Sequence, residues 1–173
     1  MFFVRSNQGA RFDRFSRGIL AGALGGIVAG GMKLLGEAVF PPRTAREPVP
    51  PVIAISKLTR YLTGSPLLPQ REAVSAYVLH FAFSIGVGAL YGLLAEAYPQ
   101  VRRGHGVGAG LGLLLVTHES LLPALGLSLP VSQLLLKEHL SELSTHALFG
   151  LSLETTRRLF RERVMNAHSL ARS

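Results

Sequence analysis

Three long apolar runs dominate the pattern of hydrophobic and polar positions along the chain. They cover residues 18–40, 74–98 and 105–127, and each contains few charged residues. A helix needs about 20 apolar residues to cross about 30 Å of hydrocarbon, so each run is long enough for a transmembrane span. The pattern therefore predicts three spanning helices, with Pro99 closing the second and Pro123 kinking or ending the third.

A fourth run covers residues 138–160 and is less apolar than the others. Its polar residues are His139, Glu142, His146 and Glu154. Considered alone, this run could equally be a surface helix. The arginines that follow it are typical of a cytoplasmic helix end and favour a span. The prediction is an all-α, polytopic four-helix bundle that forms a single membrane domain over residues 1–173.

The Lys and Arg residues favour an orientation with both termini in the cytoplasm. Residues 1–17 and 161–173 are then cytoplasmic tails, eleven Lys and Arg residues lie inside, and six lie outside. The basic N-terminal arm also resembles the n-region of a signal peptide. However, the run behind it contains Lys33 and Glu37 and no clear cleavage site, so an uncleaved first span is expected.

The first external loop, residues 41–73, opens with a proline-rich piece. Ile55, Leu58 and Leu62 follow at helical spacing, while the basic residues between them face elsewhere. This pattern predicts a short amphipathic helix that lies on the membrane surface.

Composition supports a membrane protein and excludes several kinds of site. The chain is 48% hydrophobic with 19 glycines, which is not typical of a soluble enzyme. It has no cysteine, so disulfides, thiolate zinc sites and cysteine nucleophiles are excluded. The net charge of +8 fits anchoring to an anionic lipid bilayer better than nucleic-acid binding, because the basic residues flank apolar runs. No known catalytic motif is present, so we expect no enzymatic activity and identify no small-molecule substrate.

Glycines spaced four residues apart predict packing faces on two spans. They are Gly18, Gly22, Gly26 and Gly30 in the first span and Gly104, Gly108 and Gly112 in the third. Small residues let membrane helices approach closely, so these faces should contact another helix, within the bundle or in a homodimer. Lys33 and Glu37 fall within the arc of the first stripe and should form an intramembrane ion pair. Glu96 and Glu154 lie near span ends and are expected at the headgroups.

The histidines on the spans and Glu142 are candidate functional groups. Glu142 and His146 are four residues apart, so a carboxylate and an imidazole share one helix face. With His80 and His118 they form a set that could hold a metal ion in a bundle core. Facing histidines could instead bind haem, or the same groups could sense or move protons, because histidine titrates near pH 6.5. The plainest alternative is that these side chains only hold the helices together.

Four segments carry a family resemblance: "KLLGEAVFPPR", "LHFAFSIGVGALYGLLAEAYP", "THESLLPALGL" and "SELSTHALFGLSLETTRR". Through them the chain, from about Gly18 to Arg163, resembles the YagU-like family of bacterial inner-membrane proteins (DUF1440). The matching positions are Lys33, Glu37, Pro41 to Arg43, His80, Ser84, Tyr91, Glu96, His118, Glu142 and His146. The resemblance implies a multi-span inner-membrane protein without an established activity, linked with acid tolerance.

Three functions follow from these observations and stay open at this point. The first is a non-enzymatic role in envelope homeostasis or acid tolerance through the buried His/Glu/Lys residues. The second is metal or haem binding. The third is a structural role as a subunit or partner of a membrane complex.

Overall fold

The computed structural model describes residues 7–42 and 49–170, and the chain is helical through most of both ranges. These ranges contain no β-strand, which confirms the all-α prediction. The α-helices are α1 (Asn7–Val39), α2 (Pro50–Thr63), α3 (Pro69–Ala97), α4 (Val107–Val116), α5 (Leu122–Ala124) and α6 (Leu136–Leu170). Tighter or wider helical turns occupy Pro99–Gly106, Thr117–Leu121 and Val131–Gln133. Arg43, one of the positions in the family resemblance, lies outside the described residues.

Three helical stretches within the described residues are long and apolar enough to cross a membrane. They are Arg11–Val39, Pro69–Ala97 and Pro99–Ala124. They correspond to the first three predicted spans, and each begins several residues before the predicted start. The fourth predicted span, residues 138–160, lies inside α6 but is not among them, because polar and ionisable side chains lower its mean hydropathy. α1 also begins at Asn7 and α6 continues to Leu170, so much of both predicted tails is helical.

The contact between α1 and α3 is a close approach of two backbones. A Cβ atom at Gly22 would lie 2.8 Å from Cα of Gly92, and one at Gly88 would lie 2.8 Å from Cα of Gly26. A side chain at these positions would therefore push the helices apart. The α1 glycines that face α3 are Gly18, Gly22, Gly26 and Gly30. The predicted stripe on the first span thus lies at a contact within the chain, and α6 packs against another face of α1.

The glycines that bring α4 against α6 are not the predicted ones. A Cβ atom at Gly110 would lie 3.0 Å from the backbone nitrogen of Gly150, and Gly106 is equally close to α6. Nothing lies within 4 Å of a Cβ built at Gly104, Gly108 or Gly112. Residues 104–106 all have positive φ angles, so the chain turns sharply before α4 begins. The predicted row was extended through this turn as if the helix were continuous, and it makes no contact with another helix of the described chain. A contact between two copies stays a prediction.

Apolar side chains cover much of the outside of the bundle, whereas many polar side chains lie within it. Leu20, Val78 and Leu115 are at least 60% exposed, and Lys33 and Glu142 are at most 6% exposed. This distribution is the reverse of that in a water-soluble protein and suits a lipid surround. Five of the buried apolar residues form one packed cluster, which we call the apolar layer: Ala29, Tyr91, Ala95, Phe149 and Leu153.

α2 is the helix that the sequence predicts in the first external loop. It packs against α3, and Nζ of Lys57 donates to the carbonyl oxygens of Leu125 at 3.2 Å and Gly126 at 2.9 Å. This contact joins α2 to the chain segment that follows α5. Leu58 and Leu62 are exposed, so α2 presents apolar side chains that a membrane surface could cover.

Candidate functional site

Five polar side chains from α1, α6 and the turn after α4 meet inside the bundle. This histidine cluster consists of Lys33, Glu37, His118, Glu142 and His146. α1 and α6 each contribute two residues spaced four apart, so each pair shares one helix face. His118 lies in the π-type turn Thr117–Leu121, next to the hydrogen bond of 2.6 Å from Oγ1 of Thr117 to the Leu113 carbonyl. Such a turn changes the helical phase of the side chains that follow it, and here it places His118 against α6.

Glu142 is the centre of the histidine cluster. Its Oε1 lies 3.2 Å from Nδ1 of His118, and its Oε2 lies 3.4 Å from Nδ1 of His146. Nζ of Lys33 lies 3.5 Å from the same Oε2 and also pairs with Glu37, as the spacing on α1 predicts. The two imidazole rings meet edge to face with centroids 4.8 Å apart. One carboxylate therefore contacts three groups that can carry a proton.

The cluster is almost closed to solvent. Glu142 is 4% exposed, His146 is 1% exposed and Lys33 is 6% exposed. Ionisable groups cost free energy in such surroundings unless they are paired. Nδ1 of His146 also donates to the Glu142 backbone carbonyl at 2.8 Å. The pairing within the cluster thus offsets the burial of its members.

Three of the four predicted metal ligands come together, and the fourth does not. A nitrogen of His118, a nitrogen of His146 and a carboxylate oxygen of Glu142 all lie within 4.8 Å of one another. Two imidazoles and one carboxylate suit zinc or iron. His80 is separate, with its Nε2 3.2 Å from the Gly30 carbonyl of α1. Its helix, α3, packs against the glycine face of α1 and makes no side-chain hydrogen bond or ion pair with His118, Glu142 or His146 within the described residues.

A small crevice reaches the cluster near the C-terminal end of α1 and the N-terminal end of α6. Its lining residues are Pro42, His118, Glu119, Ser128, Leu134 and Glu142. The crevice has a volume of about 10 Å³, close to the minimum that holds one water molecule, so it admits a water or a bare ion and not a haem. The buried Oγ of Ser128 has no hydrogen-bond partner within the described residues. Sequence reasoning missed Ser128, because no pattern distinguishes a serine in a loop.

A second polar group lies at the opposite end of the bundle. This arginine cluster consists of Arg14, Glu96, Glu154, Arg157 and Arg161. Arg157 donates two hydrogen bonds to Glu154, at 2.6 and 2.8 Å, in the fork geometry that favours carboxylate binding. Glu96 accepts from Arg161 at 2.7 Å and from Arg14 at 3.2 Å. The sequence placed the two glutamates near span ends. Arg157 lies three residues after Glu154 on α6, a spacing that the sequence contains. Arg14 and Arg161 reach Glu96 from other helices, and no local spacing reveals those contacts.

The apolar layer separates the two clusters. His146 and Glu154 are eight residues apart on α6, which corresponds to about 12 Å of helix rise. Phe149 and Leu153 lie between them and are 3% and 2% exposed. Tyr91 reaches from the layer to Oε2 of Glu154 at 3.0 Å and therefore belongs with the arginine side. Within the described residues, no hydrogen bond or ion pair connects one cluster to the other.

Comparison with known proteins places these residues in a family. The model of DUF1440, a protein family of unknown function, matches residues 27–155, a range that includes all five members of the histidine cluster. The chain is also similar to the inner membrane protein YagU of Escherichia coli (strain K12), with 33% identity over 87 residues. That match covers 50% of this chain and 43% of the relative, so the chain spans less than half the length of that relative. No solved structure matches.

Proposed function

This chain belongs to the DUF1440 family, whose function is unknown, and we propose that it is a four-span inner-membrane protein whose histidine cluster senses protons from the external side. Both termini lie in the cytoplasm, and the cluster catalyses no reaction. Its cellular role is envelope homeostasis under acid conditions. The observation that carries the proposal is the contact of His118 and His146 with one buried carboxylate, Glu142, beside a crevice.

The placement of side chains on α6 supports a fourth span. From residue 140 to residue 157 its exposed residues are Leu140, Leu143, Ser144, Leu151 and Thr155. The charged residues of this stretch are buried: Glu142 contacts α1 and the turn after α4, and Glu154 and Arg157 contact α3. None of them would therefore face lipid. The stretch rises about 27 Å, close to the thickness of the hydrocarbon core. Mean hydropathy underrates such a helix, because it counts buried polar side chains as if lipid surrounded them.

Cysteine labelling tests both the fourth span and the orientation. The chain contains no cysteine, so Ser65→Cys, Gln133→Cys or Arg163→Cys would each give a single labelling site. In intact cells a membrane-impermeant maleimide should label the first two variants and spare the third until the membrane is permeabilised. Gln100→Cys, between α3 and α4, is the matched internal control. Labelling of Arg163→Cys together with Gln133→Cys in intact cells would contradict a spanning α6.

The arrangement favours sensing over transport. The crevice lies beside His118, so protons from one side of the membrane can reach the cluster. From His118 the contacts continue through Glu142 to His146 and stop at the apolar layer. Proton movement along side chains needs an unbroken series of hydrogen bonds, and the described residues provide none across this layer. Protonation can therefore change the contacts of the cluster without a flow of protons through the bundle.

Histidine NMR in lipid nanodiscs tests the sensing proposal directly. The chain has six histidines, so histidine-specific isotope labelling gives a simple spectrum that single His→Gln variants can assign. We expect the signals of His118 and His146 to shift together as the pH is lowered, because both rings contact the Glu142 carboxylate. Glu142→Gln should uncouple the two shifts, and His80→Gln should leave them unchanged. Signals of His118 and His146 that stay constant down to the lowest pH at which the protein remains folded would contradict proton sensing.

A metal site is the second candidate, and the three ligand atoms within 4.8 Å favour it. The ammonium of Lys33 beside Glu142 opposes it, because a metal ion there would lie close to another cation. Elemental analysis of protein purified without chelators or a histidine tag decides whether the cluster binds a metal ion. Bound metal close to one ion per chain, lost in His118→Gln and Glu142→Gln and retained in His80→Gln, would establish the site.

A structural role is the third outcome of the same experiments. It would be indicated by protein that is free of metal and by histidine signals that do not respond to pH. The cluster would then serve helix packing alone, as for a subunit of a membrane complex. Substitution of Glu142 would in that case change stability and nothing else.

A further inference from the structure

A wide cleft opens at the end of the bundle that holds the arginine cluster. Its volume is about 910 Å³, within the usual range for ligand sites. The connection between α3 and α4 forms one wall, and the C-terminal half of α6 forms the other. This arginine cleft has as its basic lining residues Arg102, Arg103, His105, Arg157, Arg158 and Arg161.

The arginine cleft carries more positive than negative charge. Five arginines line it against three glutamates. Each glutamate is already paired with an arginine of α6: Glu96 with Arg161 at 2.7 Å, Glu154 with Arg157 at 2.6 Å and Glu162 with Arg158 at 2.8 Å. The two arginines on the opposite wall, Arg102 and Arg103, make no hydrogen bond or ion pair within the described residues. Both are exposed, so their guanidinium groups are available to a ligand.

Two adjacent guanidinium groups favour a phosphate ligand. Each presents a planar fork of N–H donors that matches two phosphate oxygens, and each keeps its charge at physiological pH. The depth of the cleft relative to the bilayer indicates that this phosphate belongs to a lipid headgroup. The cleft lies where α3 ends and α4 begins, next to the exposed Tyr98, and tyrosine is enriched at the headgroup level of membrane proteins. Leu159 lines the cleft and is 51% exposed, which provides an apolar contact for the first part of an acyl chain.

We propose that the arginine cleft binds the phosphate group of an anionic phospholipid, with Arg102 and Arg103 as the principal contacts. The arginines of α6 form the opposite wall, held in place by their glutamate partners. Basic pockets between spans on the cytoplasmic side are suited to such headgroups. The proposal does not depend on proton sensing, since no hydrogen bond or ion pair between described residues joins the two clusters.

Native mass spectrometry of the full chain in mild detergent tests the proposal. Phosphatidylglycerol, phosphatidylcholine and inorganic phosphate are titrated separately against the delipidated protein. We expect one saturable phosphatidylglycerol molecule per chain and much weaker binding of the zwitterionic lipid. The double variant R102Q/R103Q should weaken phosphatidylglycerol binding by about tenfold or more, since it removes two charged forks.

The double variant R60Q/R71Q is the matched control. It removes the same charge from two exposed arginines at the other end of the bundle and should bind phosphatidylglycerol as the wild type does. R102K/R103K keeps the charge but loses the fork, and intermediate binding is expected. Binding of inorganic phosphate that R102Q/R103Q abolishes, without lipid binding, would support the phosphate site and identify a soluble source. Equal binding by R102Q/R103Q and R60Q/R71Q, or equal binding of the two lipids, would overturn the proposal.

Discussion

At one end of the bundle, three arginines bind two glutamates through charged groups that keep their charge at physiological pH. At the other end, one glutamate contacts two histidines and a lysine, and histidine changes its charge within that range. Both clusters bury ionisable groups, and both offset the cost by pairing. The comparison separates two uses of buried charge: fixed pairs hold helices in place, whereas titratable groups around one carboxylate can respond to their surroundings.

The largest loss of stability should come from removing an arginine–glutamate pair of the arginine cluster. Arg157→Ala would leave the Glu154 carboxylate, 6% exposed, without its fork of N–H donors. Loss of one partner of a buried pair costs about 3–5 kcal/mol, so we expect the free energy of unfolding to fall by that amount. Unfolding in mixed micelles with increasing SDS measures it.

Arg158→Ala is the control for this substitution. Arg158 pairs with Glu162 on the surface of the same helix, and its loss should leave the unfolding midpoint unchanged. Equal effects of the two substitutions would remove the distinction between a structural cluster and a surface pair.

A smaller loss of stability should come from displacing α4, which leads into the turn with His118, away from α6. A methyl group at Gly110 would press on the backbone of α6 at Gly150, so Gly110→Ala should cost about 1–3 kcal/mol in the free energy of unfolding. Because α4 leads directly into the turn with His118, the variant should also alter the NMR signal of His118. The arginine cluster should be affected less.

Gly112→Ala provides the matched control on the same helix. Nothing lies within 4 Å of a Cβ at Gly112, and alanine is the better helix former by up to about 1 kcal/mol. Unchanged or slightly increased stability is expected. A loss as large as that of Gly110→Ala would contradict the observed packing of α4.

The smallest effect on stability should come from Glu142→Gln. The amide keeps the shape of the carboxylate and can still accept hydrogen bonds from His118 and His146, so we expect a loss of about 1 kcal/mol. Glu154→Gln should cost more, because it disrupts a double hydrogen bond to arginine. If Glu142→Gln is instead the more destabilising of the two, the histidine cluster is mainly a structural element.

Much of the fold follows from patterns that repeat along single helices. Runs of apolar residues identified three spans, and the four-residue spacing of glycines on α1 identified its face toward α3. The same spacing placed Glu142 and His146 on one face of α6. These predictions work because a continuous helix keeps its phase from one turn to the next.

Sequence patterns do not predict contacts where a turn interrupts the helix and changes the direction of its side chains. They also do not predict contacts between helices that are far apart in the chain. The positive φ angles of residues 104–106 reset the phase of α4, so the glycine row beginning at Gly104 does not face α6. The π-type turn Thr117–Leu121 then changes the direction of His118, while His80 remains on α3 beside α1. The arginine cluster joins side chains up to 147 positions apart (Arg14 and Arg161), and no local pattern encodes that separation.

The buried polar face of α6 has a consequence for how the protein is made. On its own this helix would meet lipid with Glu142, Glu154 and Arg157 uncovered, at a cost of about 2.5 kcal/mol or more for each charged side chain. α6 is translated after α1, α3 and α4. A spanning α6 would therefore enter the membrane as a late insertion event that needs the earlier helices as a template, and a chain shortened at its N-terminus should leave α6 outside the bilayer.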